Sequence, residues 1–149
     1  MSNDGQVTIR QVMPGDAAVV AELNGQLGYP ATVDEIRERI EALQGQDAVR
    51  TVLTACLGDE VVGWVDVALS LHLQSPECAL IGGLVVRDGM RGLGIGKRLC
   101  EAAEAWSREK GVSRIRVTSR STRTDAHRFY LRDGYAEVKT SRVFEKVLC

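Results

Sequence analysis

The feature that most constrains the fold is a strand, a glycine-rich loop and a helix that follow one another directly. Residues 79–86 read ALIGGLVV, a nearly continuous apolar run that predicts a strand buried on both faces. Residues 94–110 repeat apolar side chains at helical spacing, and between the two lies RDGMRGLGIGK with Gly92, Gly94 and Gly96. Because glycine loses the most backbone freedom on folding, three glycines in one loop need a structural or chemical reason.

The remaining segments indicate a mixed α/β protein. Alternating or apolar runs predict further strands at 7–11, 49–57, 61–69, 115–118 and 136–147. Ser75-Pro76 predicts a loop. Helical spacing predicts helices at 14–27, 94–110 and 125–133, and the capping-box pair Thr32 and Glu35 predicts another that runs to Leu43. We therefore predict fold class α/β (α+β) and, from a length of 149 residues, a single domain over 1–149.

Composition argues against membrane and metal-binding classes. No apolar run approaches membrane-spanning length, and the N-terminus lacks the basic start and apolar block of a secretory signal. We therefore expect a cytoplasmic protein without a membrane partner. The four cysteines are scattered, no CxxC pair occurs and the two histidines lie far apart, so we expect no metal site and reduced, mostly buried thiols.

Charge is divided unevenly along the chain. Residues 1–86 carry twelve acidic and four basic residues, a net charge of −8, whereas residues 87–133 carry twelve basic and six acidic residues, a net charge of +6. The division fits solvated helix surfaces. It also fits a second half that binds an anion and a first half that tolerates a cation.

The glycine loop has the chemistry of a phosphate site. Backbone N–H groups at the start of a helix lack helical partners, and the helix dipole adds partial positive charge there. Arg91, Lys97 and Arg98 add formal charge nearby. The loop does not fit the GxxxxGK[ST] phosphate loop, because Arg91 stands at its first glycine and Arg98 follows Lys97. A dinucleotide fingerprint is also a poor fit, because no acid follows the next strand.

Two motifs in order resemble the GNAT superfamily of acetyl-CoA-dependent acetyltransferases. Residues 91–96, RGLGIG, fit its [RQ]xxGxG/A signature after a buried strand. Residues 125–135, DAHRFYLRDGY, resemble its motif of an alanine, a tyrosine four residues later and a glycine–aromatic pair. Within the family, this run and His72-Leu73-Gln74 look most like aminoalkylphosphonate N-acetyltransferases. The resemblance implies a mixed, mostly antiparallel central sheet of six to seven strands flanked by about four helices.

The resemblance also implies site residues for acetyl-CoA as cosubstrate. The loop amides would hold the pyrophosphate, the fourth strand would pair with the pantetheine arm, and Tyr130 would protonate the departing thiolate. The cofactor-binding set is then Leu84, Val85, Val86, Arg91, Gly92, Leu93, Gly94, Ile95, Gly96, Lys97, Arg123 and Tyr130. Arg123 stands where many members carry asparagine, and it either grips an anionic group or is a solvated loop charge.

A second departure concerns the general base. Many members carry a glutamate on the fourth strand, but here Leu80 and Gly82-Gly83 occupy the corresponding places. Asp66, His72 and Glu77 are the available groups that could take a proton from the amine; Asp66 and His72 are the two base candidates that we retain. Asp66 also fits an outward strand position, His72 also fits a loop, and solvent could deprotonate an amine of low pKa.

The function expected from these residues is transfer of an acetyl group from acetyl-CoA to a primary amine of a small molecule, by direct attack in a ternary complex. The alternatives are an enzyme that acts on protein or peptide amines, and a coenzyme A-binding sensor without turnover. We expect no nucleic-acid partner, and family habit implies a homodimer.

Overall fold

The computed structural model describes residues 6–120 and 122–149. The contacts divide the chain into two compact units, Met1–Thr118 and Ser119–Cys149. The first unit holds the sheet and three α-helices, and the second holds one α-helix and the C-terminal segment. The single domain over 1–149 stays a prediction, because each unit is described by itself.

The sheet of the first unit follows chain order. Its strands are β1 (Val7–Gln11), β2 (Arg50–Leu57), β3 (Glu60–His72), β4 (Ser75–Val86) and β5 (Ile115–Val117). Strands β1 to β4 pair as antiparallel neighbours, whereas β4 and β5 are parallel. The parallel pair requires a crossover, which the helix after the glycine loop provides.

Helix bounds agree with the local sequence signals. The helices are α1 (Ala17–Leu27), preceded by a 3-10 turn at Pro14–Asp16, α2 (Val33–Leu43), α3 (Ile95–Glu109) and α4 (Thr124–Arg132). The predicted capping box is present, because Thr32 Oγ1 accepts from the Glu35 amide at 3.1 Å and Glu35 Oε1 accepts from the Thr32 amide at 2.9 Å. Gly111, with φ of 84°, follows α3 as predicted.

Two apolar cores flank the sheet and fix the helices against it. One packs α1 and α2 through Leu23, Ile36 and Ile40 against residues that include Trp64. The other packs α3 through Ile95, Leu99 and Ala103, which repeat every four residues, against β3 and β4. Strands β3 and β4 therefore each contribute side chains to both apolar cores.

Three expectations about strands need correction. In the described residues the sheet is mixed and has five strands, not the expected six to seven mostly antiparallel ones. Residues 136–147 form no strand, and Val138, Val143 and Phe144 are exposed there, because alternation alone supplies no neighbouring strand to pair with. Ser75-Pro76 lies inside β4 rather than in a loop, and the turn is at 73–74.

The described residues also bear on the membrane, thiol and metal expectations. Within these residues, no α-helix has the length and hydropathy required to cross a bilayer. Cys56, Cys78 and Cys100 are buried and Cys149 is exposed, and no disulfide joins any two of these four residues. No group of three or more metal-ligating side chains occurs in the same part of the chain.

Candidate active site

The loop between β4 and α3 adopts a backbone that glycine makes accessible. Gly89, Gly92 and Gly94 have φ of 87°, 85° and 78°, in the left-handed region that other residues avoid. A Cβ atom built on Gly92 or Gly94 would meet no heavy atom within 4 Å. The glycines therefore serve the turn and leave open space above the backbone.

The same loop exposes a row of backbone donors. Gly94 caps α3 without a side-chain hydrogen bond, and the first helical bond runs from the Arg98 amide to the Gly94 carbonyl at 3.1 Å. In the described part of the chain, the backbone amides of residues 91–97 donate no hydrogen bond. These amides and the positive end of the α3 dipole have the arrangement required to accept an anion, which is the chemistry that the glycine spacing predicts.

The basic side chains around this loop have different partners. Arg91 pairs with Asp88 at 3.3 Å, and Arg98 turns away to donate to the Val7 carbonyl at 2.9 Å. Lys97 is exposed in the first turn of α3. Lys97 is therefore the cation best placed to contact an anion bound at the loop, whereas the Arg98 side chain connects α3 to β1 through its hydrogen bond.

The last residues of β4 present an open backbone edge. The Arg87 amide donates to the Val62 carbonyl of β3 at 2.8 Å, so by the alternation of a ladder the polar groups of Leu84 and Val86 point away from β3. On that side β5 pairs only with Ala79 to Ile81. Beyond Ile81, no described strand covers this edge of β4.

A side chain from α1 holds the end of this edge. Gln26 Nε2 donates to the Val86 carbonyl at 2.6 Å, and Gln26 Oε1 accepts from the Asp88 amide at 2.8 Å. One amide group thus fixes the point where β4 becomes the loop. The amide of Val86 is not used by this contact.

A β-bulge places Asp66 against β4. Asp66 pairs with Gly83 and Val67 pairs with Ile81, so Gly82 is the extra residue between them. Its amide donates to Asp66 Oδ1 at 2.8 Å instead of joining the ladder. A Cβ atom on Gly82 would lie 2.6 Å from Asp66 Oδ1, and one on Gly83 would lie 2.9 Å from the Trp64 ring. The two glycines therefore make room for the two β3 side chains.

Asp66 lines a cleft beside this bulge. The cleft has a volume of about 320 Å³ and is formed by Asn24, Leu27, Tyr29, Trp64, Asp66, Gly82 and Gly83. Burial raises the pKa of Asp66 above its ordinary value, and hydrogen bonds from the Gly82 and Gly83 amides partly oppose this effect. In the region the structure describes, Asp66 forms no ion pair.

The other retained base candidate does not join this cleft. His72 is exposed at the last residue of β3, where its Nε2 lies 2.9 Å from Ser70 Oγ and its register partner is Ser75. It therefore sits at the turn end of the β3–β4 hairpin, while Leu84 and Val86 sit at the opposite end. Glu77 is exposed near the same turn.

The second unit contains the other residues singled out from sequence. Arg123 is exposed and precedes α4, and Tyr130 lies within that helix. The Tyr130 ring packs edge-on against Phe129 and Tyr135, with ring centroids 5.3 Å and 5.7 Å apart. Its backbone carbonyl accepts from the Asp133 and Tyr135 amides.

Sequence reasoning missed three polar side chains at this site, Asn24, Gln26 and Trp64. Gln26 acts on Val86, sixty positions away, and no local pattern marks such a contact. Trp64 and Asn24 were read as parts of an apolar strand and a helix. The adjacent glycines at 82 and 83 were the available signal, since glycine inside a strand indicates close approach of another group.

Comparisons with known proteins agree with this geometry. The model of the acetyltransferase (GNAT) family matches residues 17–135. The chain is 33% identical over 137 residues to an aminoglycoside N(6')-acetyltransferase type 1 of Stenotrophomonas maltophilia, covering 89% of this chain and 88% of that protein. It is 39% identical over 79 residues to an aminoalkylphosphonate N-acetyltransferase of Salmonella typhimurium, covering 52% and 51% of the two chains.

A solved structure extends the agreement to the fold. An aminoglycoside N-acetyltransferase in complex with CoA superposes with a TM-score of 0.83 at 19% identity, over 95% of each chain. The glycine loop, the open β4 edge and the family match lead to one conclusion: the chain belongs to the acetyltransferase (GNAT) family and is an acetyl-CoA-dependent N-acetyltransferase.

Proposed function

We propose that this enzyme acetylates a primary amine of a small molecule by direct attack of the amine on acetyl-CoA in a ternary complex. The observation that carries the proposal is a backbone track in two parts, the open edge of β4 at Leu84 and Val86 and the amides of residues 91–97, which donate no hydrogen bond within the described residues. A long ligand with a peptide-like arm and a diphosphate matches such a track.

The cosubstrate would lie along this track. The diphosphate of acetyl-CoA would accept from the amides of residues 91–97, which include those of Gly92, Gly94 and Gly96, with Lys97 nearby. The pantetheine arm would bond to the backbone of Leu84 and Val86, and the Val85 side chain, which is 5% exposed, would stay in the core. The free amide of Val86 would polarise the thioester carbonyl and stabilise the oxyanion formed on attack.

Tyr130 is proposed as the group that protonates the thiolate of coenzyme A. A phenol is a donor at neutral pH, and the edge-on packing against Phe129 and Tyr135 limits the orientations of this ring. Arg123 is proposed as a contact for an anionic group of the cosubstrate, since its guanidinium is exposed before α4. Arg123→Ala would leave acetyl-CoA affinity unchanged if this contact is absent.

Small-molecule amines are favoured as acceptors by the relatives. The two matching proteins named above are an aminoglycoside and an aminoalkylphosphonate N-acetyltransferase. The cleft beside Asp66, about 320 Å³, has the size of a small-ligand pocket. The alternative acceptors are protein or peptide amines, which would need an open groove instead of a cleft.

The experiment that tests the proposal measures thiol release from acetyl-CoA with a chromogenic thiol reagent. The acceptor panel contains alkylamines, aminoglycosides, aminoalkylphosphonates and peptides. Turnover with one or more small amines is expected. Turnover with peptides alone would show that the acceptors are peptide amines instead of small molecules. Acetyl-CoA binding, measured by calorimetry, without turnover of any amine would favour a coenzyme A-binding sensor.

Family habit extends the proposal to a homodimer in the cytoplasm. Sedimentation equilibrium of the purified protein would test the dimer. A concentration-independent monomer mass would overturn it.

A further inference from the structure

We propose that Asp66 binds the ammonium group of the substrate and accepts its proton, so that a carboxylate on β3 replaces the acid missing from β4. The inference rests on the proposed function, because it assigns a role in amine acetylation. It concerns one cleft of the first unit and the residues that line it.

The first argument is the shape of β4 at this point. Gly82 and Gly83 lack the side chains that would fill the space occupied by Asp66 and Trp64. The Gly82 amide holds Asp66 Oδ1 at 2.8 Å, so the carboxylate is oriented before any ligand arrives. Gly83 precedes Val86 by three residues, about 10 Å along a strand. The proposed acyl group therefore lies further along the same strand, and the amine moves from Asp66 toward it after losing its proton.

The second argument is the absence of a partner charge. Burial without a cation destabilises a carboxylate, and proteins usually pair such a group. The cation that lies nearest in the fold is Arg50, which lines a second cleft of about 260 Å³ that Asp66 also lines. Among the described residues, Arg50 forms no ion pair with Asp66.

The third argument is a pair of buried polar atoms in the same cleft that have no hydrogen-bond partner among the described residues. They are Asn24 Oδ1, an acceptor, and Trp64 Nε1, a donor, and Trp64 is only 7% exposed. Leaving such an atom unpaired costs about 1–3 kcal/mol. An ammonium can donate to Asp66 and to Asn24, and an oxygen elsewhere in the same substrate can accept from Trp64.

The proton transfer follows from this arrangement. The ammonium gives one proton to the Asp66 carboxylate, which leaves a neutral amine with a lone pair and a protonated Asp66. The amine nitrogen then bonds to the acetyl carbon, the carbon–sulfur bond breaks, and Tyr130 protonates the departing thiolate. The second nitrogen proton restores the Tyr130 phenol through solvent. Asp66 releases its proton to solvent before the next turnover.

The same cleft indicates which amines fit. No lysine, arginine or histidine lines it, and its one charged side chain is acidic. A cationic amine without an anionic group is complementary to this lining. An aminophosphonate would place its anionic end in a cleft that offers no cation.

Kinetics with amines of different basicity test the proton-transfer role. We expect Asp66→Asn to lower kcat/KM for ethylamine by roughly 10²–10⁴-fold, the range for general base catalysis. The loss for 2,2,2-trifluoroethylamine should be under about tenfold, because this amine is already largely uncharged at neutral pH. Asp59→Asn, which removes an exposed acid from the β2–β3 turn, is the matched control and should match the parent. Equal losses for both amines, or no loss, would overturn the role.

A binding measurement tests the same site without turnover. Trp64 and Trp106 are the two tryptophans of the sequence, so Trp106→Phe makes Trp64 the sole indole reporter. Ethylammonium chloride should change its fluorescence saturably, and Asp66→Asn should abolish that change. The absence of a saturable change in the Trp106→Phe protein would overturn the inference. Failure to release thiol with any amine would instead count against the proposed function.

Discussion

Gln26 donates to the carbonyl of Val86 at 2.6 Å and so joins α1 to the end of β4. The same side chain accepts from the Asp88 amide at 2.8 Å. The proposed acyl-binding edge and the glycine loop therefore share one support. Two hydrogen bonds of this kind contribute about 1–3 kcal/mol together.

We expect Gln26→Ala to weaken acetyl-CoA binding about tenfold, because the end of β4 loses both contacts. Turnover at saturating acetyl-CoA should change less than the affinity does. Isothermal titration calorimetry measures the affinity. Gln46→Ala, which removes a side-chain bond to the Ala42 carbonyl outside the site, is the control. An unchanged dissociation constant in Gln26→Ala would show that β4 does not need this support.

Gly94→Val should abolish measurable acetyl-CoA binding. Its φ of 78° strains a β-branched residue by about 1–2 kcal/mol, and the new side chain enters the space above the loop. Gly45→Val is matched, with φ of 80° and open space around its Cβ, but it lies outside the loop. Both variants should lose similar stability, and only the first should lose the ligand. A folded Gly94→Val protein with parental affinity refutes the loop assignment.

Tyr130→Phe should reduce kcat by about 10²-fold while acetyl-CoA affinity stays within twofold, since only the proton donor is removed. The edge-on ring contacts with Phe129 and Tyr135 remain available to phenylalanine. Tyr135→Phe removes a phenol hydroxyl from the neighbouring ring and should keep its activity. Equal turnover in Tyr130→Phe and the parent would exclude the general-acid role.

Asp66→Asn should raise the melting temperature at pH 7. Burial raises the pKa of Asp66, so the folded protein holds this proton more tightly than the unfolded chain. The free energy of unfolding therefore falls as pH rises from the ordinary pKa of aspartate to the raised pKa of the folded protein. Above the raised pKa the full loss of stability is present. The gain in Asp66→Asn should therefore shrink as pH falls toward 4. Calorimetric scans from pH 4 to pH 8 measure it.

Asp16→Asn supplies the comparison of opposite sign. Arg10 holds the Asp16 carboxylate at 2.8 Å and lowers its pKa, so this acid stabilises the fold above its ordinary pKa and the contribution is lost as pH falls through the lowered one. At pH 7 this variant should lose about 2 kcal/mol. A lower melting temperature in Asp66→Asn as well would mean that Asp66 supports the fold rather than the chemistry.

Local signals in the sequence located much of the fold. The capping box at Thr32 and Glu35, the glycines before α3 and the alternation of residues 7–11 each act over a few residues, and the structure has these elements where they were predicted. Residues 136–147 show the limit of such patterns. A strand exists only through its neighbour, and alternation in one segment carries no information about that neighbour.

The candidate site also has one part that local sequence predicts and one part that it does not. The glycine loop could be identified from its own spacing, but the cleft could not. Asp66 meets Gly82 only because of a bulge in the β3–β4 register, and Trp64 and Asn24 come from different elements. The sequence offered Asp66 and His72 as alternative bases, and the pairing places His72 at the turn of the β3–β4 hairpin and Asp66 midway along it.

The contact between Gly82 and Asp66 couples the two positions. Any side chain at position 82 would begin 2.6 Å from Asp66 Oδ1, so it would displace the carboxylate from the Gly82 amide. A substitution at position 82 is therefore also a change in the placement of the carboxylate, even though Asp66 itself is unaltered.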